Sequence, residues 1–113
     1  MSERIDKDFL SDIKEAMRRT NSYTENLSYE EFLEDIKTQD AVIRNIEIIG
    51  EAAKNISEEL RKKYQEIQWK DMAGIRDKLI HHYFGVNLDI VWTAIKEEFP
   101  GIILQIGEII GNE

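Results

Sequence analysis

The chain has 113 residues, 42% hydrophobic and 34% charged, with one proline, six glycines and no cysteine. A single domain over 1–113 is expected, long enough to bury a core and too short for a second module; disulfides and thiolate metal sites are excluded, and the lack of cysteine fits the cytoplasm. The net charge of −8, from 15 basic and 23 acidic residues, argues against a generic nucleic-acid binder, because phosphate attraction drives most nonspecific affinity. Any nucleic-acid contact must therefore come from a local basic surface, with a second subunit as one source. The charged start lacks the apolar core of a signal peptide, and no apolar run approaches membrane-spanning length.

From Arg4 to Asn21, the residues Ile5, Phe9, Ile13, Ala16 and Met17 make a stripe at helical spacing. Asn21 to Asn26 reads as a polar break. Ser28 and Glu31 form a capping-box pattern that starts a short helix through Lys37, and Thr38-Gln39-Asp40 reads as a joint. From Asp40 to Ile56 the apolar positions Val42, Ile46, Ile49, Ala53 and Ile56 make a narrow seam suited to a helical partner, in the same chain or in a second copy. Gly50 in this helix looks like a close-packing position. Glu47 and Glu51 read as a solvated face with Lys54. Ser57 to Tyr64 is a short helix or helix end with a run of three cations, Arg61-Lys62-Lys63. The plain reading of that run is a solvated face; the sharper one is a phosphate-contacting edge. A helix is predicted over Trp69–Tyr83, ended by a glycine turn at Phe84-Gly85-Val86-Asn87. Leu88 to Ile110 is helical again, with Pro100 kinking it or starting a new helix. The whole chain reads as an all-α bundle.

The segment Ile75–Gly85 concentrates the chemistry. It holds Arg76, Tyr83 and both histidines of the chain, His81 and His82. Arginine grips phosphate through two parallel hydrogen bonds, and histidine exchanges protons near neutral pH. Together they can handle a phosphodiester without a metal. On an ideal helix Arg76 and Tyr83 share a face, whereas Arg76 and His81 lie about 140° apart. Convergence needs the helix to end or bend near His81, or a second copy to face it across a two-fold axis. The structural alternative is that Arg76 caps a helix or pairs with an acid while His81 and Tyr83 pack in the core. Metal binding has little support: His81 and His82 are neighbours that project to different sides of a helix, and no Glu-x-x-His pair exists.

Arg76-Asp77-Lys78-Leu79-Ile80-His81-His82-Tyr83 matches an Arg-x4-His-x-Tyr signature, and the chain resembles HepT-type HEPN proteins. The flanks agree: Asp40 through Lys54 is similar to the long third helix of that family, and Trp69–Gly74 and Phe84–Trp92 resemble the segments around its active site. The sequence departs from the pattern at Asp77, where asparagine or another polar residue is usual; this sets a negative charge beside Arg76. The resemblance implies an all-α, HEPN-type up-and-down helical bundle that is homodimeric, with the motif at the interface. It also implies a metal-independent endoribonuclease toxin with no cofactor, of a type VII-like toxin–antitoxin pair. The partner would be an MntA-like nucleotidyltransferase antitoxin, which silences the toxin by transferring AMP to Tyr83. Arg76 and His81 would then be catalytic, with Tyr83 as AMP acceptor or support. Asp77, Lys78, His82, Arg61, Lys62 and Lys63 are candidate RNA contacts. The competing expectation is a noncatalytic nucleotide- or protein-binding partner subunit of a minimal nucleotidyltransferase.

Overall fold

Helix α1 (Asp6–Thr24) forms where Leu10, Ile13, Ala16 and Met17 return to one face every three or four residues, and that face is buried. The carboxylate of Asp8 accepts a hydrogen bond from the Ile5 N–H at 3.2 Å, placing negative charge at the positive end of the helix. The computed structural model describes residues 5–81 and 85–113; at 80, 81, 85 and 86 it describes the backbone path alone. The helix runs on through the expected break at Asn21. Thr20 and Thr24 are buried there, and their hydroxyls donate to the Met17 and Thr20 carbonyls at 2.7 and 2.8 Å. Bonding back into the helix satisfies both hydroxyls, so the polar run continues as helix.

The capping box is present at α2 (Tyr29–Glu34): the Glu31 N–H donates to Ser28 Oγ at 3.1 Å, and the Ser28 N–H donates to the Glu31 carboxylate at 2.9 Å. This helix stops at Glu34 rather than reaching Lys37. Asp35 turns the chain and caps the next helix, accepting from the Thr38 N–H at 2.9 Å and from its hydroxyl at 2.7 Å. The expected joint at Thr38-Gln39-Asp40 is therefore already inside α3 (Ile36–Lys54).

On α3 the seam of Val42, Ile46, Ile49 and Ala53 is 0% exposed, and Ile56 just beyond it is 4% exposed. Its cover comes from the chain itself: α1 lies along it, and the short helices at Trp69–Ala73 and Ile75–Leu79 pack against it as well. The seam is thus not available to a second copy, and it lends no support to a dimer. Asp6 at the start of α1 accepts from the backbone and hydroxyl of Ser57, just past the end of α3, so the two helices run antiparallel. Each fully buried isoleucine contributes about 1.5–3 kcal/mol.

After α4 (Glu58–Lys63) come α5 (Trp69–Ala73) and α6 (Ile75–Leu79). The single helix expected over Trp69–Tyr83 is instead two short helices that stop at Leu79. The chain then turns extended: β1 (Ile80–His81) pairs antiparallel with β2 (Gly85–Val86), Ile80 opposite Val86 and His81 opposite Gly85. In place of the expected glycine turn, Gly85 and Val86 form a strand, and Asn87 caps α7 (Leu88–Thr93) by accepting from the Ile90 N–H at 3.2 Å. His82, Tyr83 and Phe84 lie outside the described residues. A five-residue π-helical turn, Ala94–Glu98, leads into α8 (Phe99–Asn112). The helical path is unbroken from Leu88 to Asn112, and Pro100, which has no N–H to give to the preceding turn, follows directly on the π-helical turn. Trp92 on α7 stacks against Phe32 of α2 at 5.2 Å, and the Lys96 ammonium lies 4.8 Å over its ring. Apart from the four strand residues and the joints, the described chain is helical, an all-α bundle.

Candidate active site

The corner made by α5 and α6 is positioned from below. The Trp69 indole N–H donates to the Tyr64 carbonyl at 2.9 Å, and Met72, Ile75 and Leu79 are buried. With those residues inward, Arg76, Asp77 and Lys78 are left exposed. Gly50 of α3 lies directly under the corner. A Cβ on it would meet Ile75 Cγ2 at 3.5 Å and the Ala73 and Met72 carbonyl oxygens at 3.6 and 3.7 Å. An alanine methyl would just fit, and anything larger would lift the corner off α3.

Arg76 faces a groove of about 500 Å³ between α1, α3 and the α5–α6 corner, whose walls include Asp12, Arg44, Glu47, Glu51, Lys54 and Ala73. Its Nε donates to Glu47 Oε2 at 3.3 Å, longer than a well-formed charge-assisted bond of roughly 2.7–2.9 Å. Asp77 Oδ1 lies 3.9 Å from Arg76 Nη1, near enough to attract and too far for a hydrogen bond. The terminal guanidinium nitrogens donate no hydrogen bond among the described residues, and the side chain is 44% exposed. The fork that would take a phosphate is therefore open to the groove while its inner edge is held. Glu47 differs from its expected role as part of a solvated face: it reaches across from α3 to Arg76. The plainer sequence expectation, that Arg76 pairs with an acid, describes one edge of the guanidinium.

Between Arg76 and His81 the helix ends. The last helical residue is Leu79, whose carbonyl accepts from the Asn87 N–H at 3.1 Å, and the His81 backbone is extended opposite Gly85. The change of direction that convergence of the two residues requires takes place here. His82 and Tyr83 fall outside the described residues.

The other candidates are dispersed. Lys78 borders a smaller hollow of about 150 Å³ with Met72, Phe99 and Ile102, apart from the Arg76 groove. Arg61 donates from Nη2 to the Ala53 carbonyl at 2.6 Å, and its Nε is buried without a partner among the described residues. Lys63 pairs with Glu113 at 2.9 Å, and the Tyr64 hydroxyl donates to the same carboxylate at 2.6 Å; Tyr64, then Lys63, hold Glu113 below its usual range. Lys62 is exposed. None of these three cations lines the groove.

Sequence reasoning missed Arg44, Glu47 and Lys54 as site residues, although a signal was present. At about 100° per residue, positions 44, 47, 51 and 54 of α3 fall within an arc of roughly 80° opposite the buried seam. Among the described residues no group of three or more His, Asp or Glu could hold a metal ion, and no helix is long and apolar enough to cross a membrane.

An antiparallel all-α bundle carrying an Arg-x4-His-x-Tyr segment at a helix stop defines the HEPN class. Within that class the chain belongs to the ribonuclease HepT-like family, whose profile matches residues 13–109. A Methanocaldococcus jannaschii protein with a provisional RNase name is 50% identical over 90% of this chain and 84% of its own length. The "probable ribonuclease HepT" of Thermococcus cleftensis is 48% identical over 88% of this chain and 90% of its own. A protein of Caldanaerobacter subterraneus, also provisionally named an RNase, is 47% identical over 77% of this chain and 78% of its own. No solved structure matches the chain.

Proposed function

We propose that this chain, as a single cytoplasmic HepT-like domain, is a metal-independent endoribonuclease. The observation that carries the reading is the open guanidinium fork of Arg76 in the groove, three residues before the helix ends and the chain turns toward His81. RNA supplies its own nucleophile. The 2′-oxygen bonds to phosphorus, the bond from phosphorus to the 5′-oxygen breaks, and His81 removes the 2′-OH proton or delivers one to the leaving oxygen. Arg76 stabilises the extra negative charge on phosphorus. The products are a 2′,3′-cyclic phosphate and a 5′-hydroxyl. A homodimer would set two such segments face to face across the cleft.

The same reading makes the protein the toxin of a toxin–antitoxin pair. An MntA-like nucleotidyltransferase transfers AMP from ATP to the Tyr83 hydroxyl, releasing pyrophosphate. The adenylate brings bulk and negative charge to the Arg-x4-His-x-Tyr segment and so opposes binding of substrate phosphate.

The test is RNA cleavage by purified protein in EDTA. The wild type cuts, His81→Ala does not, and His82→Ala retains most activity. Equal loss in the two histidine variants, or arrest by EDTA, would overturn the roles given to these residues. One observation favours a second reading, a noncatalytic partner subunit of a nucleotidyltransferase. Glu47 and Asp77 both stand beside Arg76 and offset its charge; on that reading no RNA is cut, while Tyr83 still accepts AMP.

A further inference from the structure

The groove beside Arg76 carries three cations, Arg44, Lys54 and Arg76, against three carboxylates, Asp12, Glu47 and Glu51, on a chain whose net charge is −8. Other hollows among the described residues are poorer in cations. One is lined by Glu30, Glu31, Glu34 and Asp35 with no cation, and another by Glu66, Asp71 and Glu98 with Lys78. Arg44 and Lys54 are exposed, and neither has an ion-pair or hydrogen-bond partner among the described residues. This contrasts with Arg61 and Lys63, which are engaged with Ala53 and Glu113. Arg44 and Lys54 stand ten positions apart on α3, roughly 15 Å along its axis. Phosphates about 3.4 Å apart in rise on a stacked strand would place the two residues on different nucleotides.

Resting on the ribonuclease reading, we infer that Arg44 and Lys54 form a strand-binding subsite. They hold backbone phosphates of single-stranded RNA that flank the one facing Arg76. Glu47 and Glu51, between them on the same wall, keep phosphate from settling along the middle of α3, so the strand is held at its two ends and crosses the groove at Arg76. Both contacts are to backbone phosphate, so the subsite fixes the path of the strand and carries no base preference.

The experiment measures binding apart from cutting. A short fluorescent single-stranded RNA, 2′-O-methylated throughout so that it cannot be cleaved, is titrated with full-length protein over a range of salt concentrations. Arg44→Gln and Lys54→Gln should each weaken binding severalfold at low salt and reduce the slope of log affinity against log salt by about 0.7, one phosphate contact each. Lys7→Gln, an exposed cation of α1 outside the groove, should leave the slope unchanged. Unmodified RNA is assayed in parallel. Wild-type cutting with slopes unaltered in both variants would overturn the subsite and leave the ribonuclease reading intact. Reduced slopes in a protein that cuts nothing would support the subsite and remove the ribonuclease reading. A reduced slope in Lys62→Gln, with none in Arg44→Gln or Lys54→Gln, would move the strand to α4 and overturn the inference.

Discussion

The α1–α3 spine and the corner after Gln68 are built on opposite rules. Along the spine the backbone is continuous helix for nineteen residues in each element, and the apolar positions repeat without a fault. At the corner the chain breaks at Gly74, stops at Leu79 and turns extended within one short stretch. The spine tolerates no polar group on its buried face beyond Thr20, Thr24 and Asn45. The corner instead sets its charged residues outward, over a neighbour, Gly50, that has no side chain. Stability and the proposed chemistry are thereby separated: the seam supplies the apolar burial, and the corner, anchored by Met72, Ile75 and Leu79, presents Arg76.

If that separation is right, variants on the two sides should fail in different assays. The largest effect is expected at the corner. Arg76→Ala should slow RNA cleavage by about 10²–10³-fold, as loss of a group stabilising developing charge does, while its thermal midpoint stays close to wild type because the side chain is half exposed. Initial rates and thermal melts on the same preparation check both halves. On the spine, Ile46→Ala should cost about 3 kcal/mol of unfolding free energy, read from urea denaturation, with catalysis per folded molecule preserved.

A smaller effect sharpens the boundary. Glu47→Ala frees the inner edge of Arg76 and should lower kcat by about tenfold with little change in KM, in line with the roughly 1.5–3 kcal/mol of a hydrogen bond to a charged group reduced here by its length. Glu47→Gln, which keeps an acceptor, should recover part of the loss; equal loss in both variants would mean that Glu47 acts only through charge.

The smallest effect concerns the outer face of α1. Hydrogen bonds from Arg18 and then Arg19 hold the Glu15 carboxyl down at about 2, against an ordinary value of 4.5. A carboxylate whose folded pKa is depressed stabilises the fold above its unfolded value and loses that contribution as pH falls through the folded one. Thermal midpoints should therefore decline between pH 4.5 and about 2, and Glu15→Gln should flatten that decline slightly, the group being exposed.

The contrast also explains what could be read from the residues. The seam on α3 and the Ser28–Glu31 capping box were legible because each is a local pattern; Pro100, read as a kink or a helix start, instead follows a π-helical turn within one unbroken helical path. The stop at Leu79 was not. Residues 75–81 contain no proline or glycine, and the break comes from strand pairing of Ile80 with Val86, a contact between segments that local spacing does not encode. The same limit applied at Asn21–Thr24, where polar residues read as a break stay helical because buried threonine hydroxyls bond back to the helix. Arg76 stood out in the sequence as a candidate phosphate-gripping residue. Its partner Glu47 was not, because 29 positions separate them.

The most direct test of the proposed chemistry uses an RNA bearing a single 2′-deoxy nucleotide at a mapped cleavage site. It is incubated with the protein in EDTA, and the product ends are identified by mass spectrometry. The 2′-OH mechanism predicts cutting of the all-ribose strand to a 2′,3′-cyclic phosphate and a 5′-hydroxyl, and no cutting at the deoxy position. Cleavage at that position, or products ending in a 5′-phosphate, would contradict it.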